Sequence, residues 1–289
     1  MSQLTGAADD VRRPPPATAA PGERGENFPV ALRVLPASLR RDLHAVYGFA
    51  RGVDELGDNA PGDRTAALAG FEADLRRVWT AVSPTDPILA ALVPTVRAHD
   101  LPIEPFLALV EANQLDQVRS TYETWADLRH YCTLSADPVG RIVLGVLEVR
   151  DPDGRLTAWS DDVCTALQVL EHCQDVAEDR GRGRTYLPQE DLERFGVTDS
   201  ELGATTTSPA VRAVVGYEVQ RARELLAAGR PLVRSLHGAG RLAVAGFVAG
   251  GLATADALQR ADYDVLATVP KPGKAATARH ALRLLAGRP

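Results

Sequence analysis

Two pairs of aspartates, each with a four-residue spacing, are the features of this chain that most suggest chemistry. The first pair is Asp54 and Asp58, and the second pair is Asp175 and Asp179. In a helix this spacing places both carboxylates on one face, one turn apart. Like charges so placed destabilise a helix by a few tenths of a kcal/mol, and Asp is also unfavourable in a helix interior. The repeated arrangement therefore suggests that a cation compensates the carboxylates.

Polar groups lie in register with each aspartate pair. Tyr47 and Gln168 precede the pairs by seven residues, and Arg51 precedes Asp54 by three. Carboxylates favour hard cations, and Mg²⁺ takes one or two of them together with waters and substrate phosphate oxygens. Two facing helices of this kind would hold Mg²⁺ and a diphosphate between them. The alternative is that both pairs are solvated surface charge.

Three arginines follow the second pair directly. Arg180, Arg182 and Arg184 alternate with Gly181 and Gly183. One interpretation is a solvated loop whose cations favour the C-terminus of the preceding helix. The other is a flexible basic flap that closes over diphosphate oxygens, because Arg presents a planar fork of donors. The neighbouring aspartates favour the flap.

Composition argues against several classes of protein. The 289 residues carry 32 basic and 38 acidic side chains, a net charge of −6, which argues against a nucleic-acid-binding protein. Three cysteines without a Cys-x-x-Cys pair predict buried thiols in a reducing cytoplasm rather than disulfides or a zinc site. The apolar stretch 242–257 is shorter than a membrane span needs, so we expect a core helix and no transmembrane segment. The sequence has no P-loop, which argues against nucleotide hydrolysis.

Helical periodicity dominates the chain beyond its start. Residues 1–26 are rich in Pro and Gly and are expected to form a disordered tail, with order beginning near Asn27. Apolar residues then recur with a period near 3.6, as in the segment 39–56. Convincing strand alternation is absent from the sequence. We therefore predict an all-α fold of about ten helices, forming one domain over residues 27–289.

Capping signals locate individual helix starts. Thr124 is followed three residues later by an acidic side chain, which is the spacing of a capping box. Asp137 and Ser208 each precede a proline, which predicts an N-cap followed by Pro at the first helical position. Ser160 is predicted to cap a helix that runs to Asp179.

Six segments together resemble the squalene/phytoene synthase family. The two aspartate segments, 54–58 and 174–179, are similar to the family's two aspartate-rich motifs. Four further segments resemble its bacterial hydroxysqualene synthase branch, which acts in hopanoid biosynthesis: ENFPV at 26–30, YCTLSADPVGR at 131–141, GRTYLP at 183–188 and YDVL at 263–266. The matching segments are distributed along nearly all of the chain that is expected to be ordered.

The resemblance implies a single-domain isoprenoid-synthase-type helical bundle around a central cavity. It implies that Mg²⁺ is bound by four carboxylates: Asp54, Asp58, Asp175 and Asp179. It also implies that diphosphate is contacted by four further side chains: Tyr47, Arg51, Gln168 and Arg184. Tyr131 would lie in the cavity near the reacting carbons and would act in catalysis together with the aspartates.

Three places depart from the family pattern. Glu55 replaces the second of two adjacent aspartates, and the negative charge is kept. Glu171 stands where the family often has Asn, so an extra carboxylate would either add a metal ligand or repel diphosphate. Glu26 and Asn27 stand where phytoene-type members carry a serine-rich segment. This last change fits the hydroxysqualene branch and weakens the case for a direct condensation of two substrates.

The implied reaction converts presqualene diphosphate and water into hydroxysqualene and diphosphate, by Mg²⁺-assisted ionisation followed by water capture of the carbocation. Such an enzyme is a carbon–oxygen lyase acting on phosphates. The alternatives inside the family are presqualene diphosphate synthase and a squalene/phytoene synthase, which condense two prenyl diphosphates such as farnesyl diphosphate. The alternative outside it is a non-catalytic helical interaction protein. A cytoplasmic location is expected, and peripheral contact with the inner membrane face and handover to other squalene-pathway enzymes stay open.

Overall fold

The computed structural model of the protein describes residues 35–287. The helices in this range are α1 (Ala37–Asp58), α2 (Arg64–Leu75), α3 (Pro87–His99), α4 (Glu104–Leu115), α5 (Trp125–Ser135), α6 (Asp137–Val146), α7 (Arg155–Gln174), α8 (Val176–Gly181), α9 (Gln189–Arg194), α10 (Asp199–Leu202), α11 (Pro209–Ser235), α12 (Gly238–Arg260) and α13 (Lys274–Leu285). A 3₁₀ turn, Arg76–Trp79, follows α2. The helix count exceeds the prediction because α8, α9 and α10 are short pieces that local periodicity does not reveal.

The all-α prediction is confirmed for the described part of the chain. Residues 35–287 contain no β-strand, and a single isolated bridge there pairs Thr121 with Thr185. The predicted tail over 1–26 and the predicted start of order near Asn27 lie outside the described residues.

Two predicted caps are confirmed and one is displaced. Thr124 forms a complete capping box, and the Ser208 hydroxyl accepts a hydrogen bond from the first turn of α11. Asp137 is already the first helical residue of α6 rather than its N-cap, so this prediction is wrong by one position. Its buried carboxylate instead accepts hydrogen bonds from Thr165 at 2.8 Å and Arg129 at 2.9 Å. Long-range partners therefore decide the position of this aspartate.

The helix predicted to begin at Ser160 begins earlier and ends earlier. α7 starts just after Gly154, and Ser160 is buried inside it. The carboxylate of Asp151 caps this start by accepting hydrogen bonds from two backbone amides of the first turn, at 3.0 and 2.7 Å. α7 ends before Asp175, and the short α8 carries Asp179. The second aspartate pair thus lies across a break between two helices.

Two apolar clusters form the core. The first joins α1–α4 with α6 around rings such as Phe49 and Phe106, which are fully buried. The second joins α5, α7, α11, α12 and α13. α11 approaches α7 closely at Gly229, where a Cβ would lie 2.5 Å from Cγ2 of Val163 and 2.8 Å from the Trp159 carbonyl oxygen. Close packing therefore holds α11 directly against α7.

α12 contains the apolar stretch 242–257. Within residues 35–287 it is the one helix that is long and apolar enough to cross a membrane by length and composition. However, 67% of its most apolar window is buried inside the protein, as expected of a core helix. The cysteines are all free thiols: Cys132 and Cys173 are buried as predicted, while Cys164 is half-buried.

Candidate active site

Both aspartate pairs line one cavity, with a volume of about 300 Å³. Its walls come from the end of α1, the end of α4, the inner faces of α5 and α7, and the segment that begins at Asp175 and continues to Tyr186. The helices therefore bring together two segments that are more than 100 residues apart in the chain. The expectation of a cavity between facing aspartate pairs is met.

The first pair is positioned by a close approach between α1 and the end of α4. Asn113 Nδ2 donates to Asp54 Oδ1 at 3.2 Å, and Gln117 Nε2 donates to the Gly57 carbonyl oxygen at 3.0 Å. Gly57 permits this approach, because a Cβ there would lie 2.3 Å from Asn113 Oδ1. The missing side chain at Gly57 therefore lets α4 hold the carboxylate end of α1, including Asp58.

The second pair keeps its one-turn separation despite the helix break. The Asp179 amide donates to the Asp175 carbonyl oxygen at 2.8 Å. Burial and the charge of Asp175 raise the pKa of Asp179 to about 7, against the opposing charges of Arg182 and Arg184. Burial also raises the pKa of Asp175, and Glu178 adds to that effect. The second pair thus carries more negative charge than its surroundings balance.

The arginine segment joins the two pairs. Arg184 Nη1 donates to Asp58 Oδ1 at 2.7 Å, and Arg182 Nη1 lies 3.3 Å from Asp58 Oδ2. Arg184 is nearly enclosed, whereas Arg182 is more than one-third exposed. Arg180 points elsewhere and pairs with Asp199 on α10. Two of the three arginines therefore lie at the cavity, held by a carboxylate of the first pair.

One side of the cavity is an aromatic wall, formed by Tyr131, His172 and Tyr186. The rings of His172 and Tyr186 stack 3.9 Å apart, and Tyr131 lies 5.5 Å from Tyr186. Burial lowers the pKa of His172 to about 3, so its ring is neutral at pH 7. Tyr131 Oη donates to Asp116 Oδ2 at 2.6 Å. An uncharged aromatic surface of this kind attracts cations through the ring faces.

Eight of the nine predicted site residues line the cavity: Arg51, Asp54, Asp58, Tyr131, Gln168, Asp175, Asp179 and Arg184. Tyr47 is not among the lining residues and lies half-buried two turns earlier on α1. Placement alone does not establish a role, so the assigned roles of all nine stay predictions.

Two residues that line the cavity at the end of α4 were not predicted from the sequence. Asn113 and Asp116, with Gln117, end an apolar helix and are spaced three and four residues apart. That spacing puts the polar groups on one face, the same signal that identified the aspartate pairs. The signal is weaker here, because a single amide and a single carboxylate are ordinary at a helix end.

The donor set of the cavity fits Mg²⁺. Its lining includes eight carboxylate side chains and three arginines, so negative charge is in excess: Asp54, Glu55, Asp58, Asp116, Glu171, Asp175, Glu178 and Asp179. Within residues 35–287, no group of three or more His, Cys, Asp or Glu is arranged to hold a metal by itself. Mg²⁺ does not require such a cage, because it takes one or two carboxylates and completes its shell with waters and phosphate oxygens.

Comparison with protein families and sequences gives one consistent result. A family model described as squalene/phytoene synthase matches residues 22–279. The chain is 34% identical over 219 residues to a hydroxysqualene synthase of Zymomonas mobilis, covering 75% of this chain and 72% of that protein. It is 30% identical over 265 residues to a 15-cis-phytoene synthase of Synechocystis, covering 86% and 78% of the two chains.

Solved structures agree with the sequence relatives. The squalene synthase HpnC of Alicyclobacillus acidocaldarius is 44% identical, with a TM-score of 0.76, over 83% of this chain and 90% of that chain. A dehydrosqualene synthase in complex with a ligand has a TM-score of 0.82 over 90% of this chain and 91% of that chain. Its 23% sequence identity supports a shared fold and nothing further.

Proposed function

The chain belongs to the squalene/phytoene synthase family, and from this membership we propose that it converts presqualene diphosphate and water into hydroxysqualene and diphosphate. The likeness to two hydroxysqualene synthases, at 34% and 32% identity, supports this choice within the family. The all-α isoprenoid-synthase fold with a central cavity is consistent with it.

One observation carries the proposal: an acid-rich region with three arginines and an uncharged aromatic wall share the same cavity. Ionisation of a prenyl diphosphate separates an anion from a carbocation, so a catalyst needs different surroundings for the two. The aspartate pairs, Arg182 and Arg184 suit the diphosphate. Tyr131 and the stacked His172–Tyr186 rings suit the carbocation.

Magnesium would be held by the two aspartate pairs and would neutralise charge on the leaving diphosphate oxygens. Arg184 would donate a fork of hydrogen bonds to the same oxygens, in exchange for its present bond to Asp58. Arg51, also in the lining, adds a further cation from α1. These donors stabilise the transition state more than the ground state, because charge grows on the oxygens as the carbon–oxygen bond breaks.

The aromatic wall acts after the bond has broken. Its rings exclude bulk water and attract the cation while the carbon skeleton rearranges. A single water then captures the cation, and no protein nucleophile is needed. Water access and cavity shape therefore determine whether an alcohol or a hydrocarbon is released.

Condensation of two prenyl diphosphates is the second candidate, and relatives named phytoene synthases favour it. Several of them are 29–31% identical to this chain, close to the values for the hydroxysqualene synthases. The departure at Glu26 and Asn27, which lie outside the described residues, argues against it. A product assay separates the two functions.

The assay offers the purified protein presqualene diphosphate or farnesyl diphosphate separately, with Mg²⁺ in oxygen-18 water, with and without NADPH. Mass spectrometry of the extracted lipids should show hydroxysqualene carrying one labelled oxygen, formed from presqualene diphosphate regardless of NADPH. Diversion to squalene by NADPH would instead assign a full squalene synthase. Rapid conversion of farnesyl diphosphate to accumulating presqualene diphosphate would assign the condensing reaction.

We further propose that the enzyme works in the cytoplasm with peripheral contact to the inner membrane face, since its substrate is a lipid. The burial of α12 supports a core role for the one described helix that is long and apolar enough to cross a membrane. Cell fractionation with a salt wash tests this, because a peripheral protein is released by salt while a spanning one stays with the membrane.

A further inference from the structure

The carboxylate of Asp116 is in an unusual environment next to the aromatic wall. It lies just after α4 and accepts a 2.6 Å hydrogen bond from the Tyr131 hydroxyl. This length is typical of a charge-assisted bond between a hydroxyl and a carboxylate. Tyr131 is itself 5% exposed and lines the cavity. The pair therefore connects the cavity surface to a carboxylate partly shielded from solvent.

The other oxygen of this carboxylate lacks the usual compensation. Asp116 Oδ1 is buried and has no hydrogen-bond partner within residues 35–287. No ion pair to Asp116 is found in that same range, although the charge of Arg184 acts on it from nearby. A buried carboxylate with an unused acceptor holds its negative charge poorly and binds a proton readily.

The groups that face Asp116 set its pKa just below neutral pH. Burial raises its pKa to about 6, and the charge of Asp58 adds to the rise. The Tyr131 hydroxyl, the Arg184 charge and the Tyr186 hydroxyl oppose that rise. At pH 7 the group is therefore mostly a carboxylate that can accept one proton without a large cost.

We propose that Asp116 is a positioning residue that acts through Tyr131: it orients the Tyr131 hydroxyl and takes up the proton released when water captures the carbocation. The inference rests on the proposed function, because it assigns the proton acceptor of the water-capture step. It adds a residue to the site that neither the sequence motifs nor the aspartate pairs indicate.

The relay moves one proton from the water to Asp116 by way of Tyr131. A lone pair of the water oxygen forms the new carbon–oxygen bond, and one of the water's O–H bonds breaks. That proton passes to the Tyr131 oxygen while the proton of Tyr131 moves along the 2.6 Å bond to Asp116 Oδ2. The positive charge of the cation is cancelled by the negative charge of the carboxylate. The products are a neutral alcohol, a neutral Tyr131 and a neutral carboxylic acid, which later returns its proton to solvent.

The decisive variant is Asp116→Asn. The amide oxygen of Asn still accepts a hydrogen bond from Tyr131, so a purely structural role would survive, but Asn cannot accept the proton. With presqualene diphosphate in oxygen-18 water, we expect labelled alcohol to fall about 100-fold. Diphosphate release should fall much less, because ionisation does not use Asp116. Alkenes should replace the alcohol, because the cation can instead lose a carbon-bound proton to the released diphosphate. Asp116→Glu keeps a carboxylate and should restore part of the alcohol yield.

Two further variants test the connection to Tyr131. Tyr131→Phe keeps the ring but removes the relay, and it should show the same shift from alcohol to hydrocarbon. The double variant should give the same alcohol yield as either single variant, because both substitutions interrupt the same proton relay. Glu111→Gln removes an exposed carboxylate from the same helix, α4, and should behave as the native enzyme.

Each outcome decides between the two hypotheses. If the native enzyme makes alcohol and Asp116→Asn keeps the same alcohol fraction, the relay is wrong and the proposed function stands. If Asp116→Asn does not fold, an unchanged alcohol fraction in Tyr131→Phe refutes the relay in the same way. If the native enzyme makes no labelled alcohol, the proposed function fails and the relay fails with it.

Discussion

Removing the charge of Asp179 should stabilise the metal-free protein while abolishing its activity. The side chain is 14% exposed, and burial next to Asp175 raises its pKa from 3.8 to about 7. This rise of about three pKa units corresponds to about 4 kcal/mol of destabilisation once the group is fully ionised. Solvent reaching the cavity reduces this figure, so about 4 kcal/mol is an upper bound.

The direction of the pH dependence of stability follows from proton binding. Because the pKa of Asp179 is higher in the folded state than in the unfolded state, the folded protein binds more protons between about pH 4 and pH 7. Its stability therefore falls as the pH rises through that window, and the full cost is present above about pH 7. At or below about pH 4 the cost shrinks to under about 1 kcal/mol, since the folded state is then protonated and the unfolded state is about half protonated or more.

The assay is urea unfolding of native protein and Asp179→Asn in chelator, at pH 8 and at pH 4. We expect the variant to be more stable by about 1–4 kcal/mol at pH 8 and nearly equal at pH 4. Glu193→Gln, which removes an exposed carboxylate on α9, serves as the matched control and should show no such pH dependence. An equal gain at both pH values, or no gain at pH 8, would refute the electrostatic reasoning.

Three further predictions concern the metal, the arginine segment and the packing. Chelation should abolish turnover, and added Mg²⁺ should restore it. Asn substitution at each of four positions should give a folded protein with at least about 100-fold lower turnover: Asp54, Asp58, Asp175 and Asp179. Full turnover in excess chelator would contradict the metal assignment. Arg184→Lys should lower kcat/KM by about tenfold or more despite keeping the charge, because Lys lacks the planar fork that now reaches Asp58; Arg182→Ala should matter less, since Arg182 is 38% exposed. Steady-state kinetics of diphosphate release measure both, and native turnover by Arg184→Ala would remove this residue from the site. Gly229→Ala should cost about 1–3 kcal/mol in urea unfolding, because its Cβ would lie 2.8 Å from a backbone oxygen of α7. The control is Gly70→Ala on α2, where a Cβ meets nothing within 4 Å, and it should stabilise the folded protein by up to about 1 kcal/mol. Equal effects of the two substitutions on stability would contradict the packing argument.

Local signals in the sequence were sufficient to predict the all-α class, several helix starts and the two aspartate segments that line the cavity. The 3.6-residue period of apolar side chains predicted α1, and capping chemistry located the starts of α5 and α11. The repeated aspartate spacing identified two helix ends that the fold brings to one cavity. These features depend on contacts within a few residues, so a single sequence contains the information needed to find them.

The tertiary structure decided what depends on distant partners. Asp151 starts α7 before Ser160, and the helix ends at Asp175 instead of continuing through the second pair. Tyr47, in register with the first pair, still does not line the cavity. Periodicity gives the face of a helix but not where that helix ends or how far along it the cavity extends.

The same limit applies to the electrostatics of the site. The sequence shows that Asp179 and Asp116 are carboxylates, but only burial against other helices raises their pKa values to about 7 and about 6. The sequence likewise places Arg184 near the second pair, whereas the fold bonds it to Asp58, which is 126 positions away. Desolvation and long-range pairing are properties of the packed chain, because they depend on which surfaces the folded helices remove from water.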